Sequence, residues 1–231
     1  MIDNVYVIHY TKLTERKKSI NAFANEFNCP VHFVEKCDRE ELTPQTVQGV
    51  YEPDPVRFES KIAPLWDKNA HRFRHLTPGE ISVAIKQLLA VKSIADSGKC
   101  GLILEDDALP IQENFLPSIN RVLEHLPNGW DVVFIGEGCG VQEINRKIND
   151  NKLEVVNGVC KAKHPATNCA EAYIIKPEVA KQIYKTALPF QLAYDWELAH
   201  TIYILNLNAY WAVPPIFTQG SKNGTFASAL R

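Results

Sequence analysis

Short apolar, β-branched runs alternate with helical stretches along this chain, and that alternation constrains its fold more than any other feature. Val5 to Tyr10 (Val-Tyr-Val-Ile-His-Tyr) reads as a buried strand. Thr11 to Phe27 reads as a turn and then a helix, with Ile20, Phe23, Ala24 and Phe27 at helical spacing, and Val31 to Val34 as a second strand. Strand, helix and strand in succession call for a parallel pair joined by a crossover helix, so the expected class is α/β.

The alternation continues. Thr77-Pro78-Gly79-Glu80 is a helix start: Thr77 can cap, Pro78 suits the first helical position and Glu80 completes a capping box. Ile81, Ala84, Ile85, Leu88, Lys92 and Ala95 follow at helical spacing, and Gly98 ends the helix. Gly101 to Leu104 is a short buried strand. Asn114 to Leu126 reads as a helix whose first turn Pro117 weakens. Asp131 to Ile135 is a strand ending in a turn around Gly136, Gly138 and Gly140. Tyr173 to Ile175 is a strand, Pro177 opens a helix through Tyr184, and Asn208 to Val213 is a last strand. Three stretches break the pattern. Residues 45–75, with Pro53, Pro55 and Pro64, are expected to form an irregular loop or lid. Val141 to Lys163 suggests a hairpin, and 218–231 reads as a mobile tail of a single domain over 1–231.

Bulk properties exclude some functions. The net charge of −2 without a long basic run argues against a nucleic-acid binder. The six cysteines contain no C-x-x-C pair and are irregularly spaced, so free thiols are expected rather than a zinc knuckle or a disulfide framework. No basic, apolar leader follows Met1, and no apolar run reaches membrane-spanning length. These features point to a cytoplasmic protein whose membrane contact, if its acceptor is lipid-linked, is peripheral.

The most informative feature is Glu105-Asp106-Asp107, which directly follows a core strand. Ligands of open parallel sheets bind at the carboxyl ends of strands. In extended chain, residues i and i+2 point the same way, so Glu105 and Asp107 can face one site. Hard cations such as Mn²⁺ or Mg²⁺ prefer carboxylate oxygens and bridge to phosphates. A metal on Asp107 and Glu105 would neutralise a diphosphate leaving group. A solvated acidic turn is the alternative.

The stretch Leu76-Thr77-Pro78-Gly79-Glu80-Ile81, the amphipathic helix, the short strand and Leu104-Glu105-Asp106-Asp107-Ala108 together resemble glycosyltransferase family 25, which includes lipooligosaccharide and collagen-type galactosyltransferases. Val5 to Tyr10 with Arg16, the segment carrying Asp38, Ala172 to Ile175, Asp195, and Gln219 with Ser221 are similar to further parts of the family pattern. The likeness spans most of the chain apart from 45–74 and 141–163. It departs after Glu80, where the family's Gly-Cys and Ser-His are replaced by Ile81-Ser82-Val83-Ala84-Ile85-Lys86-Gln87.

The resemblance implies a GT-A type α/β/α sandwich around a central, mostly parallel sheet. It also implies a UDP-type nucleotide-sugar donor, a Mn²⁺ or Mg²⁺ ion on the acidic motif, inversion at the sugar carbon, and a glycan or glycolipid acceptor; galactose is one candidate sugar. Donor contacts are expected at Ile8, His9, Tyr10, Thr11, Arg16, Asp38, Glu80, Glu105 and Asp106. Arg16 suits a diphosphate because a guanidinium offers paired hydrogen bonds. The attacking hydroxyl needs a base, for which Asp195, then Glu197, are the candidates. Trp196, Gln219 and Ser221 are the acceptor candidates, Trp196 offering an aromatic face. Plainer roles stand beside these: Asp195 as a helix cap, Trp196 as core, Glu80 as a capping residue, and His71 to His75 as a solvated basic loop. Two rival functions remain: an inactive binding module of the same fold, and another metal-dependent nucleotidyl or phosphoryl transferase.

Overall fold

The computed structural model describes residues 2–65, 72–138, 154–162 and 169–229. In chain order the strands are β1 (Asn4–Ile8), β2 (Val31–Val34), β3 (Gly101–Glu105), β4 (Ala108–Pro110), β5 (Val132–Phe134), β6 (Val155–Val156), β7 (Val159–Lys161), β8 (Ala172–Ile175), β9 (Ala209–Ala212) and β10 (Phe217–Gln219). The helices are α1 (Thr14–Phe23), α2 (Pro44–Val47), α3 (Pro55–Ile62), α4 (Pro78–Ser97), α5 (Leu116–His125), α6 (Pro177–Thr186), α7 (Tyr194–Ile204) and α8 (Gly220–Asn223), with a 3₁₀ turn at Ala24–Phe27.

Among the described residues, one sheet runs in the order β2-β1-β3-β8-β5-β9-β7-β6. β2, β1 and β3 are mutually parallel, as are β5 and β9, and β8 runs antiparallel between the two groups. The sheet is thus mostly parallel in strand direction. β1, α1 and β2 form the expected crossover unit, with Ile8 beside Val34 and, on its other side, Glu105.

Side chains alternate across the sheet as a pleated strand requires. Tyr6 and Ile8 of β1, Ile103 of β3 and Tyr173 of β8 join a core roofed by α4, α6 and α7. Val5, Val7, Leu102, Leu104 and Ile174 face the opposite core, closed by α1 and α5. Helices therefore cover both faces in the α/β/α sandwich that the resemblance implied. α4 is fixed at both ends as expected: the Thr77 Oγ1 accepts from the Glu80 N–H at 3.3 Å, the Glu80 carboxylate accepts from the Thr77 N–H at 2.8 Å, and Gly98 takes a left-handed φ of 66°.

Several expectations are corrected. The stretch read as irregular between 45 and 75 holds two short helices. Pro55 starts α3 rather than breaking it, because the Asp54 carboxylate accepts from the N–H groups of Val56 and Arg57 and proline suits the first turn. The segment from 218, read as a mobile tail, pairs through β10 antiparallel to β4. It is then tied down where the Ala227 carbonyl accepts from Arg16 at 2.6 Å. Pro117 falls in the first turn of α5 and does not weaken it. Asp195 lies inside the first turn of α7, whose cap position is Ala193, so it is not a capping residue. The free-thiol expectation holds for Cys29, Cys37, Cys100 and Cys160 but not for Cys169, which is disulfide-bonded. The hairpin expected within 141–163 is seen as β6 and β7. Residues 141–153, Gly140 and His71 lie outside the described residues. No described helix is long and apolar enough to cross a membrane.

Where β3 begins, Gly101 sits against α4 so closely that a Cβ there would overlap the fully buried Ile94 side chain. Gly101→Ala should therefore cost about 1–3 kcal/mol, the usual cost of overpacking, as measured by urea unfolding. An unchanged midpoint would mean that α4 is not held against the sheet at this point.

Candidate active site

The parallel strands β2, β1 and β3 end side by side, and the chain leaving each end builds the site. From β1 come His9 and Tyr10, from beyond β2 comes Asp38, and from β3 comes the acidic triplet. The Asp106 N–H still donates to the Ile8 carbonyl at 3.0 Å, so the triplet leaves the sheet under tight control.

Asp106 and its two neighbours have different surroundings. The Asp106 carboxylate accepts from the Tyr10 N–H at 3.1 Å and from Arg16 Nη1 at 2.7 Å, and lies 2.9 Å from His9 Nδ1. Arg16 is buried and divided between Asp106 and the Ala227 carbonyl, with Phe226 packed 5.5 Å from its guanidinium carbon. Asp107 accepts from the Ser221 N–H at 3.3 Å, and its Oδ1 is buried without any partner among the described residues. Glu105 Oε2 accepts from Gln219 Nε2 at 3.3 Å.

Two residues that the sequence did not single out belong here. Glu171 sits just before β8. Because β8 is antiparallel, its start lies beside the end of β3, with Ala172 opposite Leu104. The Glu105 N–H donates to the Glu171 carbonyl at 2.9 Å, and the Glu171 side chain accepts from the Gly138 N–H at 2.7 Å. Gly136 is required beneath it, since a Cβ there would overlap the Glu171 carboxylate. Lys86 of α4 is 1 % exposed and donates to the Asp38 carboxylate and the His9 carbonyl. It thereby joins the ends of β1 and β2 from below. Neither contact is legible without knowing which helix roofs which strands, although a lysine among apolar residues on a helix roofing the sheet is a signal.

Crowding raises the proton affinity of these carboxyls. Burial, then the charges of Asp107 and Asp195, push Glu105 well above the usual carboxylate range. Burial pushes Asp107 up, against the opposing pull of the Ser221 hydrogen bond and Arg16. Burial raises Glu171 as well. Burial and then the charge of Glu171 carry Asp195 up to about 7. For Asp38, burial alone would raise it, but the hydrogen bonds from Lys86 and Thr11 outweigh burial and hold it low.

The cluster stands between two clefts. The first, with about 660 Å³ of space counting its open mouth, is lined by His9, Tyr10, Arg16, Arg39, Lys86 and the acidic triplet, and by Gln219 and Ser221. The Arg39 guanidinium lies 4.4 Å from the Tyr10 ring centre. The second, of about 1150 Å³ on the same measure, is walled by Phe58 and Ile62 of α3, by Leu192 and Trp196, and by Arg72 and Arg74. Asp195 and Glu80 open into it. Glu105, Gln219 and Val83 line both, so the clefts share a wall.

The structure thus gathers most of the expected residues, with exceptions. Neither Thr11 nor Asp38 lines either cleft: the Thr11 N–H and hydroxyl serve Asp38, which is buried and paired with Lys86, and Ser221, expected at the acceptor, lines only the first cleft. Glu80 is occupied by Thr77 and by a bidentate pair with Arg74, which holds its carboxyl below the usual range. Glu197 is not part of either cleft. Two residues apart on a helix lie about 200° apart around its axis, so Asp195 and Glu197 face opposite ways. Glu197 is 1 % exposed, pairs with Lys61 of α3 and accepts from the N–H groups of Gln191 and Leu192 at 3.1 and 3.2 Å. It latches the second cleft's wall.

A stability prediction follows from the raised carboxyls. Their folded-state pKa values exceed the unfolded ones, so the folded chain holds protons that the unfolded chain has released, and stability falls as pH rises through this window. His200, lowered to about 4 by burial, acts in the opposite sense, but only below its ordinary value of 6.5. Between pH 6.5 and 8 the carboxyls therefore dominate. The melting temperature of the metal-free chain should fall across this range, and Asp195→Asn should flatten the slope. A flat profile for the native chain would contradict the crowding.

The profile of glycosyltransferase family 25 (LPS biosynthesis protein) matches residues 2–197. No curated protein matches the chain. Among solved structures, the chain is similar to Drosophila β-1,4-galactosyltransferase 7 in complex with manganese, UDP-Gal and xylobiose, at 13% identity over 95% of this chain and 71% of that one, with a TM-score of 0.44. It is also similar to a glycosyltransferase involved in glycosylation of the major capsid of PBCV-1, at 11% identity over 95% of this chain and 92% of that one, with a TM-score of 0.44. At these scores the likenesses bear on neither substrate nor residue roles.

Proposed function

The chain belongs to glycosyltransferase family 25 and is a glycosyltransferase; from that membership we propose that it carries a nucleotide-sugar in the first cleft and transfers the sugar, with inversion, to a glycan hydroxyl in the second. The observation that carries this reading is the shared wall: Glu105 and Gln219 line both clefts, with Asp107 on one side and Asp195 on the other.

In the first cleft Arg39 supplies positive charge for an anionic nucleotide, and Tyr10 supplies an aromatic surface; Lys86 is paired with Asp38 and acts by holding the ends of β1 and β2 together. Arg16 contributes through its field and by holding Asp106, because its guanidinium is divided between Asp106 and the Ala227 carbonyl. Asp106, held by His9, Tyr10 and Arg16, acts as a positioning residue.

Asp107 and Glu105 suit a divalent cation. Both are crowded carboxylates, and Asp107 Oδ1 is buried with no partner among the described residues. No group of three or more His, Cys, Asp or Glu side chains among the described residues is arranged to hold a metal. In this reading Asp107 and Glu105 would be the residues that hold it. When bound, Mn²⁺ or Mg²⁺ would neutralise charge on the departing diphosphate.

Asp195 is the proposed base. It lines the second cleft, and burial with the charge of Glu171 brings it to about 7, close to the range in which a carboxylate can take a proton from a hydroxyl at neutral pH. The acceptor oxygen attacks the sugar carbon from the side away from the diphosphate, its proton passes to Asp195, and the bond to the diphosphate breaks. Trp196 offers the acceptor an apolar face.

Two measurements test this. UDP with Mn²⁺ should raise the melting temperature of the native chain but not of Asp107→Ala; equal shifts would remove Asp107 from the metal site. Asp195→Asn should lower kcat by roughly 10²–10⁴-fold with a smaller effect on donor KM, and the native rate should rise with pH through about 7. If donor binds but the native chain neither transfers nor hydrolyses it, an inactive binding module is the better description.

A further inference from the structure

The second cleft carries a charge pattern that the transfer reaction does not require. Its lining includes Arg72, Arg74 and Lys222. Arg74 is committed to Glu80 in a bidentate pair. Arg72 and Lys222 are both exposed and make no salt bridge among the described residues. They come from separate parts of the chain, Arg72 from the segment before α4 and Lys222 from α8. Neither lines the first cleft, which has a cation of its own in Arg39, with the buried and paired Arg16 and Lys86 behind it. Phosphate groups of a donor in the first cleft therefore have a partner in Arg39 without them.

The remaining wall is apolar, built from Phe58 and Ile62 of α3 with Leu192 and Trp196. An apolar strip flanked by Arg72 and Lys222, neither of which is in a salt bridge among the described residues although the Lys222 charge also acts on Asp195, matches a sugar with one hydrophobic face and a negative substituent. The floor of the cleft holds Asp195 and Glu105, so an anion can settle only where cations compensate for those charges.

We propose that the acceptor is an acidic glycan whose carboxylate or phosphate is met by Arg72 and Lys222 while its apolar sugar face lies on Trp196. This rests on the assignment of the second cleft to the acceptor. Guanidinium and ammonium groups recognise either anion, Arg72 with paired hydrogen bonds and Lys222 as a point charge.

The test is the labelled full-length chain applied to an array of glycans printed in matched neutral, carboxylated and phosphorylated sets, with and without UDP and Mn²⁺. Acidic members should retain about tenfold more protein than their neutral counterparts, a difference of one decade in affinity. Whichever acidic set is retained identifies the anion. The Arg72→Gln, Lys222→Gln double variant should level the sets. Both positions are exposed, so the fold is expected to persist, and an unchanged melting temperature would verify it. The proposal is overturned by equal retention, by preference for neutral glycans, by no retention on any spot, or by a charge preference that survives the double variant. It is also overturned if calorimetry shows that the double variant weakens UDP binding, which would assign the cations to the donor. Because retention is read without turnover, loss of the acidic preference is distinguishable from loss of transferase activity, which Asp195→Asn reports.

Discussion

The Asp106 carboxylate is the contact on which the rest of the site depends. It joins His9 and Tyr10 at the end of β1, Arg16 on α1 and its own position after β3. Through Arg16 it also reaches the Ala227 carbonyl and so the segment beyond β10. Removing one partner of such a buried pair typically costs about 3–5 kcal/mol, because the other charge is left stranded. With Asp106 turned inward and pinned, Glu105 and Asp107 are left to face the clefts. The middle residue of the triplet provides structure so that its neighbours can be available for chemistry.

Availability is expressed as electrostatic strain. Glu105, Asp107, Glu171 and Asp195 each hold protons more tightly than free carboxyls do, and in every case burial is the leading cause. A chain seeking only stability would not bring four buried carboxyls close enough to raise one another's proton affinity. In the proposed reaction such a wall would serve a cation that offsets the departing diphosphate and a base that takes the hydroxyl proton.

Much of this was legible in the sequence where one local rule sufficed. The pleat of β1, the span of β2 and both ends of α4 follow from apolar alternation, a capping box and a glycine in the left-handed region. The acidic triplet was recognisable because it follows a core strand. What escaped depended on pairing between distant segments. Glu171 enters only because β8 runs against its neighbours. The strap after β10 is ordered by β4 and Arg16, not by its own composition. Glu197 is a different case: the helix containing it was expected, and helical geometry alone would have turned it away from Asp195. Prolines in the 45–75 stretch suggested irregularity, but Asp54 in front of Pro55 makes a helix start.

The joint between α3 and α7 has an architectural meaning. The floor of the site is built into the sheet ends, so altering it disturbs the core. The wall facing the floor is carried by an excursion between β2 and α4 and fastened chiefly by Phe58 and Ile62 against Leu192 and by Lys61 against Glu197. One side of the second cleft therefore sits on a piece of polypeptide separable from the sheet ends, while Trp196 and Lys222 belong to other elements. Recutting that one detachable panel would reshape a single side of the cleft and leave the sheet ends behind it untouched.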